Sequence, residues 1–163
     1  MRYLVLIILS LFLHSFAAAQ AISIEKPEVL KFGETKSNIM MAINDKCKIV
    51  SDVQIDQKTL PTATKTQSQV DCERFTYAGK KRKVELIFAD GIFDMVWILT
   101  EADESDSLIA GFTRLYGSPT HKKEDGTFFL EAGVAVRTNP HEVLFFSDRL
   151  KPFYKNWLET KTE

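Results

Sequence analysis

Apolar and polar positions along this chain repeat with two periods, one helical and one extended. In "FGETKSNIMMAINDKC", Ile39, Ala42, Ile43 and Cys47 recur at the spacing of one helix face, with Met40 beside them. Thr35 or Ser37 supplies the cap, because a hydroxyl accepts from the free N–H groups of a helix's first turn. Cys47 then closes the buried stripe. "KIVSDVQID" alternates through Ile49, Ser51, Val53 and Ile55, a first strand. Residues 57–69, rich in Thr, Gln and Lys, have almost no apolar period and are expected to form a long exposed loop, either a functional segment or a mobile connector.

A three-strand meander is predicted next, from "VDCERFTY", "RKVELIFA" and "IFDMVWILT". Its first turn is at Gly79 and its second at Asp90-Gly91, a dipeptide that tolerates the positive φ a tight hairpin demands. Val84, Leu86 and Phe88 share one face of the second strand. In the third, Phe93, Met95, Trp97 and Leu99 line one face and Ile92, Val96 and Ile98 the other, so it is expected to be central or covered on both sides. The first strand slips: Val70 and Cys72 are even, Phe75 and Tyr77 odd, which predicts a bulge or break at Glu73-Arg74.

Leu108, Ile109, Phe112, Leu115 and Tyr116 define a second helix, capped by Asp103 or Ser105 and stopped by Gly117 and Pro119. Strand patterns return in "SPTHKKED", "TFFLEA", "VAVRT" and "EVLFFSD". A short helix or docked tail follows Pro152, with Phe153 and Trp157 one turn apart, and "TKTE" should fray. Strands in runs rather than in alternation with helices indicate an α+β fold with antiparallel sheet and two main helices. The order helix plus four strands comes twice, over about residues 22–100 and 101–163, although the residues of the two halves match poorly.

The first residues, "MRYLVLIILSLFLHSFAAAQA", change the picture of where the protein resides. Arg2, an apolar run from Leu4 to Leu13 and Ala-x-Ala choices at the end have the layout of a secretory signal peptide, with cleavage after Ala21 or, alternatively, Ala19. The run is short for a membrane span, which needs about 20 residues. Residues 22–163 then form one α+β domain, with 20 Lys and Arg against 22 acids and no further transmembrane segment. This balance gives no electrostatic footprint for nucleic acid. The expected location is periplasmic or secreted.

Two cysteines, Cys47 and Cys72, stand 25 residues apart with no CxxC spacing, and only His121 and His141 remain beyond the signal segment. A metal site needs three or four converging ligands, and no metal or other cofactor is implied. In an oxidising compartment two cysteines make one bridge; here it would pin the end of the first helix to the sheet and close the Thr-rich loop. No GxSxG elbow is present, and His121 and His141 each sit beside a turn. "EADESD" is a helix start rather than an acid site. Lys80, Lys81, Arg82 and Lys83 form the densest charge run, either a solvated hairpin that guards an edge or a contact for an anionic partner, extended by Lys122 and Lys123 if the two halves align their turns. The Phe128-Phe129 and Phe145-Phe146 pairs put aromatics on both faces of a sheet. One of those faces must be covered or offered to a partner.

The helix entry "LKFGETKSNIMMAI", the exit "LYGSP" and the twofold helix-then-strands order resemble the β-lactamase-inhibitor-protein fold. They also resemble the small outer-membrane assembly lipoproteins of the SmpA/OmlA type. The lipidated cysteine of the second group and the second disulfide of the first are missing here. The resemblance implies a fold, and inhibition of a β-lactamase does not follow from it. The function expected is non-catalytic binding of a protein or envelope component through a sheet face. The alternative is a small periplasmic hydrolase or ligand-binding enzyme using His121 or His141 with nearby acids.

Overall fold

The chain is described by a computed structural model over residues 22–56 and 58–160. Residues 1–21, where a signal peptide and its cleavage are expected, and the last three residues of the "TKTE" tail lie outside the described residues. The two stripes form α1, Lys36–Ile43, and α2, Ser105–Tyr116; the tail forms α3, Lys151–Thr160. The strands are β1 (Lys48–Gln54), β2 (Gln67–Tyr77), β3 (Lys80–Ala89), β4 (Ile92–Leu99), β5 (His121–Lys123), β6 (Gly126–Phe129), β7 (Val134–Thr138) and β8 (His141–Phe146). Among the described residues they form one antiparallel sheet in the order β1-β2-β3-β4-β8-β7-β6-β5. The α+β class and the twice-repeated order of helix and four strands are both present. The last strand of each set meets the other at the centre, with Met95 opposite Phe146 and Trp97 opposite Leu144. That position explains why β4 is apolar on both faces.

Each face of the sheet carries its own core. On the first, Val70, Cys72, Val84, Leu86, Val96, Ile98, Val136, Val143 and Phe145 pack under α1, α2 and the segment 24–32. Phe112 of α2 lies 6.0 Å from Phe129 and 6.1 Å from Phe145, ring centre to ring centre. On the second, Ile87, Met95, Ala135, Leu144, Phe128 and Phe146 pack under α3 and the segment holding Leu60 and Ala63. Phe128 meets Trp157 at 5.7 Å and Phe146 meets Tyr154 at 4.3 Å. Both members of each adjacent Phe pair are therefore buried, and the aromatic stretch of the sheet is covered rather than offered.

Several local expectations change. The first helix ends at Ile43, not Cys47, because Asn44 and Asp45 favour turn conformations and an acid opposes the negative end of the helix dipole. Neither Asp103 nor Ser105 caps α2: a 3₁₀ turn, Ala102–Glu104, precedes it, and Ser105 is already its first residue. The Thr-rich segment is shorter than its composition implies, since β2 starts at Gln67, and Leu60 and Ala63 are buried. In β4 the register shifts so that Phe93 opposes Phe88 while Met95 opposes Ile87. Asp94 is the extra residue, and Phe93 turns to the opposite face from Met95 and Trp97. The bulge at Glu73-Arg74 is present: pairing jumps from Cys72↔Val84 to Phe75↔Arg82, with Arg74 at φ 65°.

Cys47 and Cys72 are joined in a disulfide, with Cα atoms 5.8 Å apart. Cys72 is fully buried on the first face, and Cys47 follows the turn after α1. The bond fixes edge strand β1, whose residues are almost all exposed, to the second strand. For the 25-residue separation, the chain-entropy relation gives roughly 3.5 kcal/mol. Replacing both cysteines with alanine should lower the unfolding free energy by about 3 kcal/mol in urea titrations, with little change in the wild-type protein's far-UV spectrum. Phe112→Ala should cost about 3–5 kcal/mol in the same assay, since it empties the space between α2, β6 and β8.

Candidate functional site

Coverage of the second face stops short, and what it leaves open is polar in a particular way. One register row crosses the whole sheet: Ser51, Asp71, Glu85, Trp97, Leu144, Ala135, Phe128, His121. From Leu144 onward the apolar members of this row are buried under α3. From Trp97 back to Ser51 every member is half-buried. The next row on the same face holds Leu99, Glu142 and Arg137, paired in register. The open half of the face thus joins Asp71, Lys83, Glu85, Trp97, Leu99 and Arg137, drawn from β2, β3, β4 and β7, with Glu142 of β8 buried at its border. Its floor is rigid because each residue sits on a paired strand.

Ion pairs within the plane organise this surface. Lys83 Nζ lies 3.1 Å from Asp71 and donates to Glu85 Oε1 at 2.7 Å. These partners, the Glu85 hydrogen bond first, hold its pKa above the ordinary lysine value. Arg137 Nη1 donates to Glu142 Oε1 at 2.7 Å. Glu142 is only 3% exposed. Burial pushes its pKa up to about 7; the nearby charge of Glu85 adds to this, and Arg137 acts against it. Trp97 is half-buried, yet its indole Nε1 is buried without an acceptor. The part of the ring that reaches the surface is therefore carbon. At the border of the open area Tyr154 of α3 donates to Met95 Sδ at 3.1 Å.

The segment 58–66 borders the same face, and its shape is imposed by side chains of the β3–β4 hairpin. Asp90, at φ 52° in the turn, accepts from the amides of Thr64, Lys65 and Thr66 and from Thr64 Oγ1 at 2.6 Å. These donors hold its pKa well below the ordinary aspartate range. Asp94, fully buried in the β4 bulge, accepts from Thr62 Oγ1 at 2.6 Å and Ser147 Oγ at 2.7 Å, with Arg149 at 3.4 Å. Gln67 Oε1 accepts from the amides of Thr59 and Leu60. The segment is a pinned rim, not a floppy connector.

The residues singled out by sequence do not assemble into one patch. In β3 the run Lys80–Lys83 alternates between faces. Arg82 is buried on the first face, where it donates to both carboxylate oxygens of Glu104 at 2.6 and 2.7 Å, and Lys80 joins the same carboxylate at 2.6 Å. Arg82 and Lys80 hold the Glu104 pKa down to about 2. Lys81 donates to Thr76, and Lys83 belongs to the open face. Lys122 and Lys123 lie on β5, five strand positions from β3, about 24 Å across the sheet. They do not extend the run.

The two histidines are equally separate. His121 lies on β5 in the row of the second face, with a buried Nδ1 that has no partner. His141 lies on β8, its Nδ1 3.5 Å from Ser105 Oγ. Ser105 is 9% exposed, and no carboxylate contact to either histidine is present among the described residues. The clefts of about 670 and 640 Å³ flanking residues 22–28 are lined by Tyr77, Ala78, Gly111 and Arg114 among others, and by neither histidine. No group of three His, Cys, Asp or Glu side chains with metal-holding geometry occurs among the described residues. No described helix is long and apolar enough to cross a membrane.

Residues 28–154 match a protein family described as "Uncharacterised protein". The chain belongs to that family. No curated protein and no solved structure matches the chain.

In the sequence alone, Asp71, Glu85, Trp97, Arg137 and Glu142 do not stand out as site residues. Strand alternation places Asp71, Lys83 and Glu85 on the face opposite Val70, Val84 and Leu86. That this face continues onto β8 and β7 depends on the strand order.

Two measurements probe this geometry. Because the folded protein binds Glu142's proton more tightly than the unfolded chain, stability should fall as pH rises from the ordinary glutamate range through about 7. Thermal melts between pH 5 and 8 should show that slope, and Glu142→Gln should flatten it. Asp90→Ala should speed hydrogen exchange at the amides of residues 64–66, while Asp125→Ala, in the turn between β5 and β6, leaves those amides unchanged.

Proposed function

We propose that this is an exported, non-catalytic binding protein that holds a protein or other envelope component on the open half of its second sheet face. One observation carries the reading: Trp97 and Leu99 lie half-exposed at the centre of a rigid sheet surface and are ringed by Asp71, Lys83, Glu85, Arg137 and Glu142. A central tryptophan with charged groups around it is the composition of an interface hot spot and its rim. The hydrolase alternative finds less support, since His121 and His141 sit on different strands without carboxylate partners and the half-buried Ser105–His141 contact is long, at 3.5 Å.

Export is supported by the layout of the first 21 residues and by the Cys47–Cys72 bond, which persists in oxidising compartments. The order of elements supports the proposed kinship with the β-lactamase-inhibitor-protein fold and the SmpA/OmlA-type lipoproteins. The reading implies no cofactor.

A photo-crosslinking residue, p-benzoylphenylalanine, placed at Leu99 should yield a defined adduct in the native envelope or culture medium. The same residue placed at Met41, exposed on α1 over the first face, should not. No adduct at Leu99, or the same adducts at both positions, would overturn the reading.

A further inference from the structure

The charges on the open face do not cancel, and the excess has a location. Three carboxylates, Asp71, Glu85 and Glu142, face two cations, Lys83 and Arg137. Asp71 is engaged at both oxygens, by Gln69 Nε2 and by Lys83. Glu85 and Glu142 each have one oxygen engaged, Oε1 in both cases, by Lys83 and Arg137 respectively. Their second oxygens receive no donor from the described chain. These two carboxylates belong to β3 and β8, the strands on either side of β4, so they flank the column of Trp97 and Leu99. The surface of Trp97 between them is ring carbon. An aromatic face between two half-satisfied carboxylates is the arrangement that attracts a cation, through the ring quadrupole and charge-assisted hydrogen bonds together.

Resting on the reading of this face as a binding surface, we propose that its ligand is a basic side chain of a protein partner, seated over Trp97 between Glu85 and Glu142. A guanidinium or ammonium brings a donor to the free oxygen of half-exposed Glu85 and offsets the charge of Glu142 buried beside it. It also reverses the sense of the Lys80–Lys83 run: Arg82 and Lys83 are already neutralised within the chain, and the group left unsatisfied is anionic. A polypeptide source fits better than a small polyamine, because half-exposed Leu99 and, farther out on β1, exposed Val53 share the face and would bury apolar area under a neighbouring segment.

The test is an NMR titration at pH 8, where Glu142 is ionised, following the Trp97 indole proton. The probes are acetyl-Gly-Arg-Gly-Arg-Gly-amide, its neutral citrulline counterpart, and spermidine. The arginine peptide should shift the Trp97 signal saturably, and the citrulline peptide should not. Glu85→Gln and Glu142→Gln, which keep shape and can keep one hydrogen bond, should each weaken binding about tenfold. Amide signals away from these strands report that both variants remain folded. Equal binding of the arginine and citrulline peptides, unchanged affinity in both variants, or spermidine binding as tightly as the peptide would overturn the proposal. Its failure is separable from that of the broader reading. If crosslinking at Leu99 captures a partner through a segment without Lys or Arg, and both Gln variants still capture it, the face binds but not through a cation.

Discussion

The antiparallel pairing of β4 with β8 is the contact on which the rest of the structure depends. Five residue pairs, from Met95↔Phe146 to Leu99↔Glu142, join two four-strand meanders into one sheet. Once joined, the central strands have no polar side to turn to water. Val96, Ile98, Val143 and Phe145 must be covered on one face, and Met95, Leu144 and Phe146 on the other. The helices are placed by that demand: α1 and α2 answer the first face, and α3, although short, answers the second. Burial worth roughly 1.5–3 kcal/mol per large apolar side chain enforces the arrangement.

Coverage ends where burial stops being favourable. Beyond Trp97 the second face carries Glu85, Lys83 and Asp71, and covering them would strip water from charges that have only partial partners. The pairing of β4 with β8 also brings Glu142 and Arg137 to the border of that open area, with Glu142 inside the protein's surface and its pKa near 7. A half-buried tryptophan next to such a carboxylate is a poor design for stability alone. Rigidity comes from the same source as position: the floor is paired strand, and the rim 58–66 is tied down by Asp90, Asp94 and Gln67.

The two edges of the sheet are treated differently. β5 is three residues long and carries Lys122 and Lys123. β1 has seven residues with exposed Ile49, Val50 and Val53, but a register shift between Ile49 and Ser51 breaks its regularity. Lys48 and Asp52 charge it as well. Bulges and charges of this kind oppose edge-to-edge pairing. The disulfide holds the strand to β2, and the Lys36–Asp52 contact holds it to α1.

Local periodicity alone was enough for the classes and most limits of the elements, an irregularity at Glu73-Arg74, the Asp90-Gly91 hairpin and the two apolar faces of β4, and the cysteine count was enough for the partner of Cys47. Each of these depends on side chains within a few residues of one another, or, for the cysteines, on there being no other choice. Tertiary structure alone decided the coverage of the Phe128 and Phe146 face, the fate of the basic run and the composition of the open surface. Alternation says that Lys83 and Glu85 share a face, but not which strand lies beside them. Thr62, Thr64 and Gln67 look like mobile polar residues until Asp94, Asp90 and the loop backbone supply their partners. Glu142 looks like an ordinary strand-end acid until β4, β7 and α3 enclose it. Hydrophobic pattern is a property of a segment; burial of a charge, and hence its chemistry, is a property of the segments that come to lie around it.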